Sequence, residues 1–176
     1  MNLVGFTHWI FIFYELFYPI IFKNYLFDNI YIVVFVLKFI SWLLLNNECM
    51  ISLIFKQYIN SNYKPGNDIH DLTDMKNTSP FLTKIFQNFI IIIFIFICIL
   101  ICIVSQRSNI LDINLLIILI LIYVIYILYI RKFYNKEIYD KLKLDNFFIY
   151  FKYICIIISV YILFKIFTNI YKYLQK

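Results

Sequence analysis

Two ionisable residues, Glu15 and Lys38, interrupt long apolar runs. A charge at the centre of a membrane helix costs about 2.5–3.5 kcal/mol on insertion scales, so its presence asks for a partner or a purpose. A turn near Tyr25 puts Glu15 about ten residues before it and Lys38 about thirteen after it. In an antiparallel helical hairpin the two then lie within ~5 Å of the same depth, which a lysine side chain can span. Two chemistries fit: a buried ion pair that lets two weak helices insert together, or part of a proton or ion path.

Other candidate groups are less organised. Asp68, His70, Asp71 and Asp74 form a small acidic cluster. Carboxylates with an imidazole can bind a divalent cation, but the spacing lacks the glycine and terminal glutamate of a calcium loop, so a solvated polar loop is expected. Cys98 and Cys102 share one helical face, with Cys49 and Cys155 elsewhere. No CxxC is present, and scattered cysteines of this kind act as small hydrophobes. His8 and Trp9 sit near one end of the hairpin with Trp42 and Asn46. The tryptophans are expected in an aromatic belt at headgroup depth. Tyr123, Tyr126 and Tyr129 recur every third residue, as helix packing or interfacial anchoring requires. Asn77-Thr78-Ser79 fits the glycosylation pattern, with Pro80 directly after it.

The elements that must position these groups are apolar helices. Hydrophobic residues make up 64% of the 176, against 15% charged. A water-soluble fold of this size would expose apolar patches far beyond the few hundred Å² usually tolerated. We therefore expect an all-α integral membrane protein with about five transmembrane helices. The expected spans are 5–22, 30–45, 85–104, 113–130 and 147–167. Runs of 18 to 21 residues cover ~27–32 Å, enough for the hydrocarbon core. The third span is free of charge from Phe89 to Val104, and the fourth is clean beyond Asn114. The fifth carries Lys152 and Lys165, which can snorkel to opposite interfaces. The first span has no basic leader before it and no small-residue cleavage site after it, so it is read as retained rather than as a signal peptide.

Composition carries a second message. Alanine is absent, with two glycines, three prolines and two arginines, while Ile, Phe, Tyr, Asn and Lys abound. That contrast follows codon content and points to an A/T-rich genome. It also leaves almost no small residues for close helix approach, so packing must run through Ile, Leu and aromatic side chains.

Three regions follow: an N-terminal transmembrane hairpin over 1–46, an interfacial helix and polar loop over 47–84, and three helices over 85–176 with a basic amphipathic connector at 131–146. The run Cys49-Met50-Ile51-Ser52-Leu53-Ile54-Phe55 opens the interfacial helix, and Pro65-Gly66 turns the chain beyond it. Five spans put the N-terminus, the long loop and the 131–146 connector on one side. Lys56, Lys64, Lys76, Lys84, Arg131, Lys132, Lys136, Lys141, Lys143 and Lys152 lie there, against Lys23, Arg107, Lys165, Lys172 and Lys176 opposite. The bias of about two to one places the N-terminus in the cytoplasm.

The second span ends in Ser41-Trp42-Leu43-Leu44-Leu45-Asn46-Asn47-Glu48-Cys49-Met50-Ile51-Ser52. Asn46 and Asn47 suit a corner, since asparagine caps helices and tolerates unusual backbone angles. This stretch resembles a motif in uncharacterised multi-pass membrane proteins of large A/T-rich DNA viruses, in which a helix ends in His-Trp before an Asn-rich turn and a Cys. Ser41 stands where that motif has His. The family has no assigned activity, so the resemblance implies a host or virion membrane and no mechanism. The expected function is that of a polytopic membrane protein, structural or accessory rather than catalytic. A small transporter or channel subunit using Glu15 and Lys38 is the alternative, and a lipid-acting enzyme a second one. No cofactor is expected. The expected partner is the lipid bilayer, with other membrane proteins or self-association beyond it, and no nucleic acid.

Overall fold

A computed structural model describes residues 3–46, 48–65, 72–132 and 146–175. Among them every regular element is an α-helix: α1 (Leu3–Ile21), α2 (Tyr25–Leu44), α3 (Met50–Ile59), α4 (Leu72–Thr78), α5 (Pro80–Arg107), α6 (Ile113–Lys132) and α7 (Asn146–Leu174). The connector expected at 131–146 falls mostly outside the described residues, as do Asn47, Asp68, His70 and Asp71.

The protein is an all-α integral membrane protein. Four helices, α1, α2, α5 and α7, are long and apolar enough to cross a bilayer. Helix α6 adds an apolar stretch over Ile113–Leu128. It runs the depth of the bundle. Just before its start, the Ile110 carbonyl accepts from Asn169 near the end of α7, and toward its own end the Tyr126 hydroxyl donates to the Trp42 carbonyl near the end of α2. Helix α3, with ten residues, covers only ~15 Å and does not cross.

Local chemistry sets the ends. The Asn24 side chain accepts from the amides of Leu26 and Phe27, which starts α2 five residues earlier than the apolar run suggests. Asn46 follows the end of α2 with φ 53°, a left-handed conformation that asparagine tolerates. Ser79 caps α5 through the Leu82 amide, and Pro80 takes the first turn, where its missing N–H costs nothing. Asp112 accepts from the Leu115 amide at the start of α6.

Helix α2 is the axis of the bundle. It packs on α5, α7 and α3, and half of its most apolar window is buried, against 22% for the peripheral α7. The core is aromatic because small residues are missing. Tyr123 lies edge-on to Phe35 at 4.7 Å and to Phe39 at 5.5 Å, and Tyr126 edge-on to Phe39 at 5.3 Å. Such ring pairs add about 0.5–1.5 kcal/mol each beyond the area they bury. Tyr123 and Tyr126 are therefore core residues. The lipid-facing surface is equally plain: Ile157, Phe164 and Phe167 of α7 are more than half exposed, as a helix in hydrocarbon permits.

One close approach departs from aromatic spacing. A Cβ on Gly5 would sit 2.1 Å from the Asp74 carbonyl oxygen. Only glycine lets α4 lie against α1 at that point.

Candidate functional site

The hairpin brings Glu15 and Lys38 into contact. Lys38 Nζ donates to Glu15 Oε1, with the lysine also over the rings of Phe35 and Trp42 at 5.2 and 5.1 Å. The turn lies between Ile21 and Tyr25, not centred on Tyr25, so Glu15 and Lys38 sit eight and fifteen residues from its middle. The axial offset is therefore roughly 10 Å rather than ~5 Å. Side-chain direction closes the gap. Helical side chains lean toward their own N-terminus, and in an antiparallel pair those leanings converge.

Pro19 shapes the same place. It has no amide hydrogen, so the Glu15 carbonyl loses its normal intrahelical donor. The Tyr31 hydroxyl donates to that carbonyl across the hairpin at 2.9 Å. Glu15 is thus held to α2 twice, by its side chain through Lys38 and by its backbone through Tyr31.

At the far end of the hairpin a second charge cluster appears that the sequence reading passed over. Asp28 is 1% exposed. It accepts from Nε and Nη2 of Arg107, from Ser108 Oγ, and from Tyr18 Oη at 2.8 Å. Arg107 Nη1 also donates to the Pro19 carbonyl at 2.7 Å. The fork of one guanidinium joins α1, α2 and α5, the bidentate geometry that lysine cannot reproduce. The partners lie 79 residues apart in sequence, so no local spacing announces them.

The corner end carries a third cluster. Glu48, also buried, accepts from Lys56 Nζ at 2.9 Å and from Tyr63 Oη at 2.7 Å. Lys56 lies 3.6 Å from Asp74. Asp74, expected in a polar or metal loop, thus pairs with a lysine of α3. Among the described residues no three His, Cys, Asp or Glu side chains are grouped to hold a metal. His8 Nδ1 lies 2.8 Å from the Val4 carbonyl, so that nitrogen carries the proton. In the neutral ring Nε2 is then the acceptor for Ser52 Oγ at 3.3 Å.

Of the expected corner residues, Asn46 accepts from Lys152 at 3.4 Å, and Trp42 stacks on Tyr123 at 6.3 Å. Cys49 stands at the N-cap of α3 without a side-chain capping bond. Trp9 lies in the protein interior rather than on its surface. It is 7% exposed, packed edge-on against Phe86 at 6.1 Å, because α4 and α5 close over that face of α1. Cys98, Cys102 and Cys155 are free thiols.

A cavity of about 450 Å³ lies mainly between α1, α2 and α5, with residues of α3, α4 and α6 completing its edge. Its walls are almost wholly apolar. Glu15 and Lys38 border it at mid-depth, and His8, Ser41 and Cys49 toward the corner. Comparison with protein-family models, with curated proteins and with solved structures finds no match.

Proposed function

We propose that the chain is a structural or accessory membrane protein in which the intramembrane charges hold helices together and carry no reaction. The observation behind this reading is the engagement of Glu15, the candidate for chemistry at the membrane's centre. Its carboxylate meets Lys38, and its own carbonyl is taken by Tyr31. An acid that must move protons needs a partner it can leave, whereas this one is tied at both ends.

The cavity beside Glu15 and Lys38 favours a second reading, a small transporter or channel subunit. Flux measured in proteoliposomes separates the two. The structural reading predicts no proton or cation flux above empty liposomes, and a lower Tm for Glu15→Gln. Flux that Glu15→Gln abolishes at unchanged Tm would give the pair to transport. The basic-residue bias supports a cytoplasmic N-terminus, with α3 and α4 on the same side. The likeness of the Ser41–Ser52 stretch to viral membrane proteins supports a host or virion membrane. Glycosylation at Asn77 would reverse the orientation.

A further inference from the structure

Beyond the pairing role, we infer that the cavity between α1, α2 and α5 holds one acyl chain of a bilayer phospholipid. Three observations converge. Size is the first: about 450 Å³ falls within the ~300–1,000 Å³ of ordinary ligand sites. Length is the second. The lining residues of α2 and its C-cap run from Val34 to Leu45 and those of α5 from Phe86 to Ile97. Each stretch spans roughly 16 Å along its helix. Half of a ~30 Å hydrocarbon core is about the same distance, so the cavity covers one leaflet from corner to midplane.

Access is the third. Leu37, Leu44, Met50 and Leu128 line the cavity and are each about half exposed, Leu37 and Leu128 on apolar helices that cross or run beside the spanning bundle. In an integral membrane protein the surface around Leu37 and Leu128 is bathed by acyl chains. Ile97 lines the cavity at its deep end yet is 1% exposed, and Phe86 at the corner end is 9% exposed. Charge agrees with an uncharged occupant. The ionic groups on the inner wall, Glu15 and Lys38, already neutralise each other. A dry apolar cavity of this size left empty would forfeit the dispersion contacts of its whole lining. A chain entering from the adjacent leaflet restores them, and its terminal methyl stops at the ion pair.

The test uses the full chain in liposomes of phosphatidylcholine carrying a photoactivatable diazirine near the end of one acyl chain. Adducts are mapped by mass spectrometry. The expected result is labelling at Ile97, which lipid around an intact closed bundle cannot reach, together with labelling of exposed Ile157 on α7. Filling the cavity by Ile90→Trp, or separately by Val34→Trp, removes the Ile97 adduct and leaves the Ile157 adduct as the sign of a folded bundle. An unlabelled Ile97 in the natural sequence overturns the inference. So does a label that survives both fillings with Ile157 labelled as before. Cross-links from these positions to a second protein chain, in place of lipid adducts, would also overturn it and assign the cavity to another helix.

Discussion

Pro19 removes one amide hydrogen from α1, and Tyr31 supplies the replacement. The exchange makes a sharp expectation at single-atom level. Tyr31→Phe should cost about 1–3 kcal/mol, because it strands a buried carbonyl. In a Pro19→Ala background the helix recovers its own N–H, and the same change should cost nearly nothing. Unfolding of the four variants in detergent gives the coupling directly, and a coupling near zero would remove Tyr31 from this role. The Asp28–Arg107 contact makes a second expectation. Arg107→Leu leaves a carboxylate that is 1% exposed without its cation, a loss of about 3–5 kcal/mol. Arg107→Lys keeps the charge but loses the fork, so it should recover only part of that loss. Equal stability of the lysine variant and the natural protein would show that the guanidinium geometry is idle.

At the level of elements, the helices were legible where composition was extreme. Residues 89–104 could be nothing but a span, and α5 contains them. The ends were less legible, because they depend on polar atoms meeting distant partners. Asp28 falls before the expected span over 30–45, yet it lies in the first turn of a spanning helix, where Arg107 and Ser108 satisfy it. Glu48 was hidden in the same way by Lys56 and Tyr63. Gly5 offered no signal at all, as its role depends on α4 crossing α1 there. Gly5→Leu should lift α4 from α1. Hydrogen exchange over Leu72–Thr78 should then rise while exchange in the middle of α5 stays slow. Unchanged exchange in α4 would mean that the two helices adjust to a side chain.

The whole molecule divides into secure and conditional parts. Helices α5 and α7 carry enough apolar length to insert alone, and α7 needs few neighbours, with 22% of its most apolar stretch buried. Helix α1 is the least hydropathic of the four spanning helices and carries Glu15, while α2 carries Lys38 and Asp28. Each of these charges opposes insertion by about 2.5–3.5 kcal/mol when alone. Pairing offsets that opposition, so α1 and α2 are expected to enter as a unit whose interior is completed by α5. Hairpin geometry anticipates the pairing of Glu15 with Lys38, although their axial offset is roughly 10 Å rather than ~5 Å. Side-chain lean, not equal depth, brings them together.

That dependence is best tested by insertion of the N-terminal hairpin in microsomes, scored by glycosylation tags in the full chain. The natural sequence should insert both helices fully. Glu15→Gln should lower the inserted fraction, and Glu15→Lys combined with Lys38→Glu should bring it back. Equal insertion of all three would contradict the account, for it would mean that the first two helices cross the membrane without needing each other's charge.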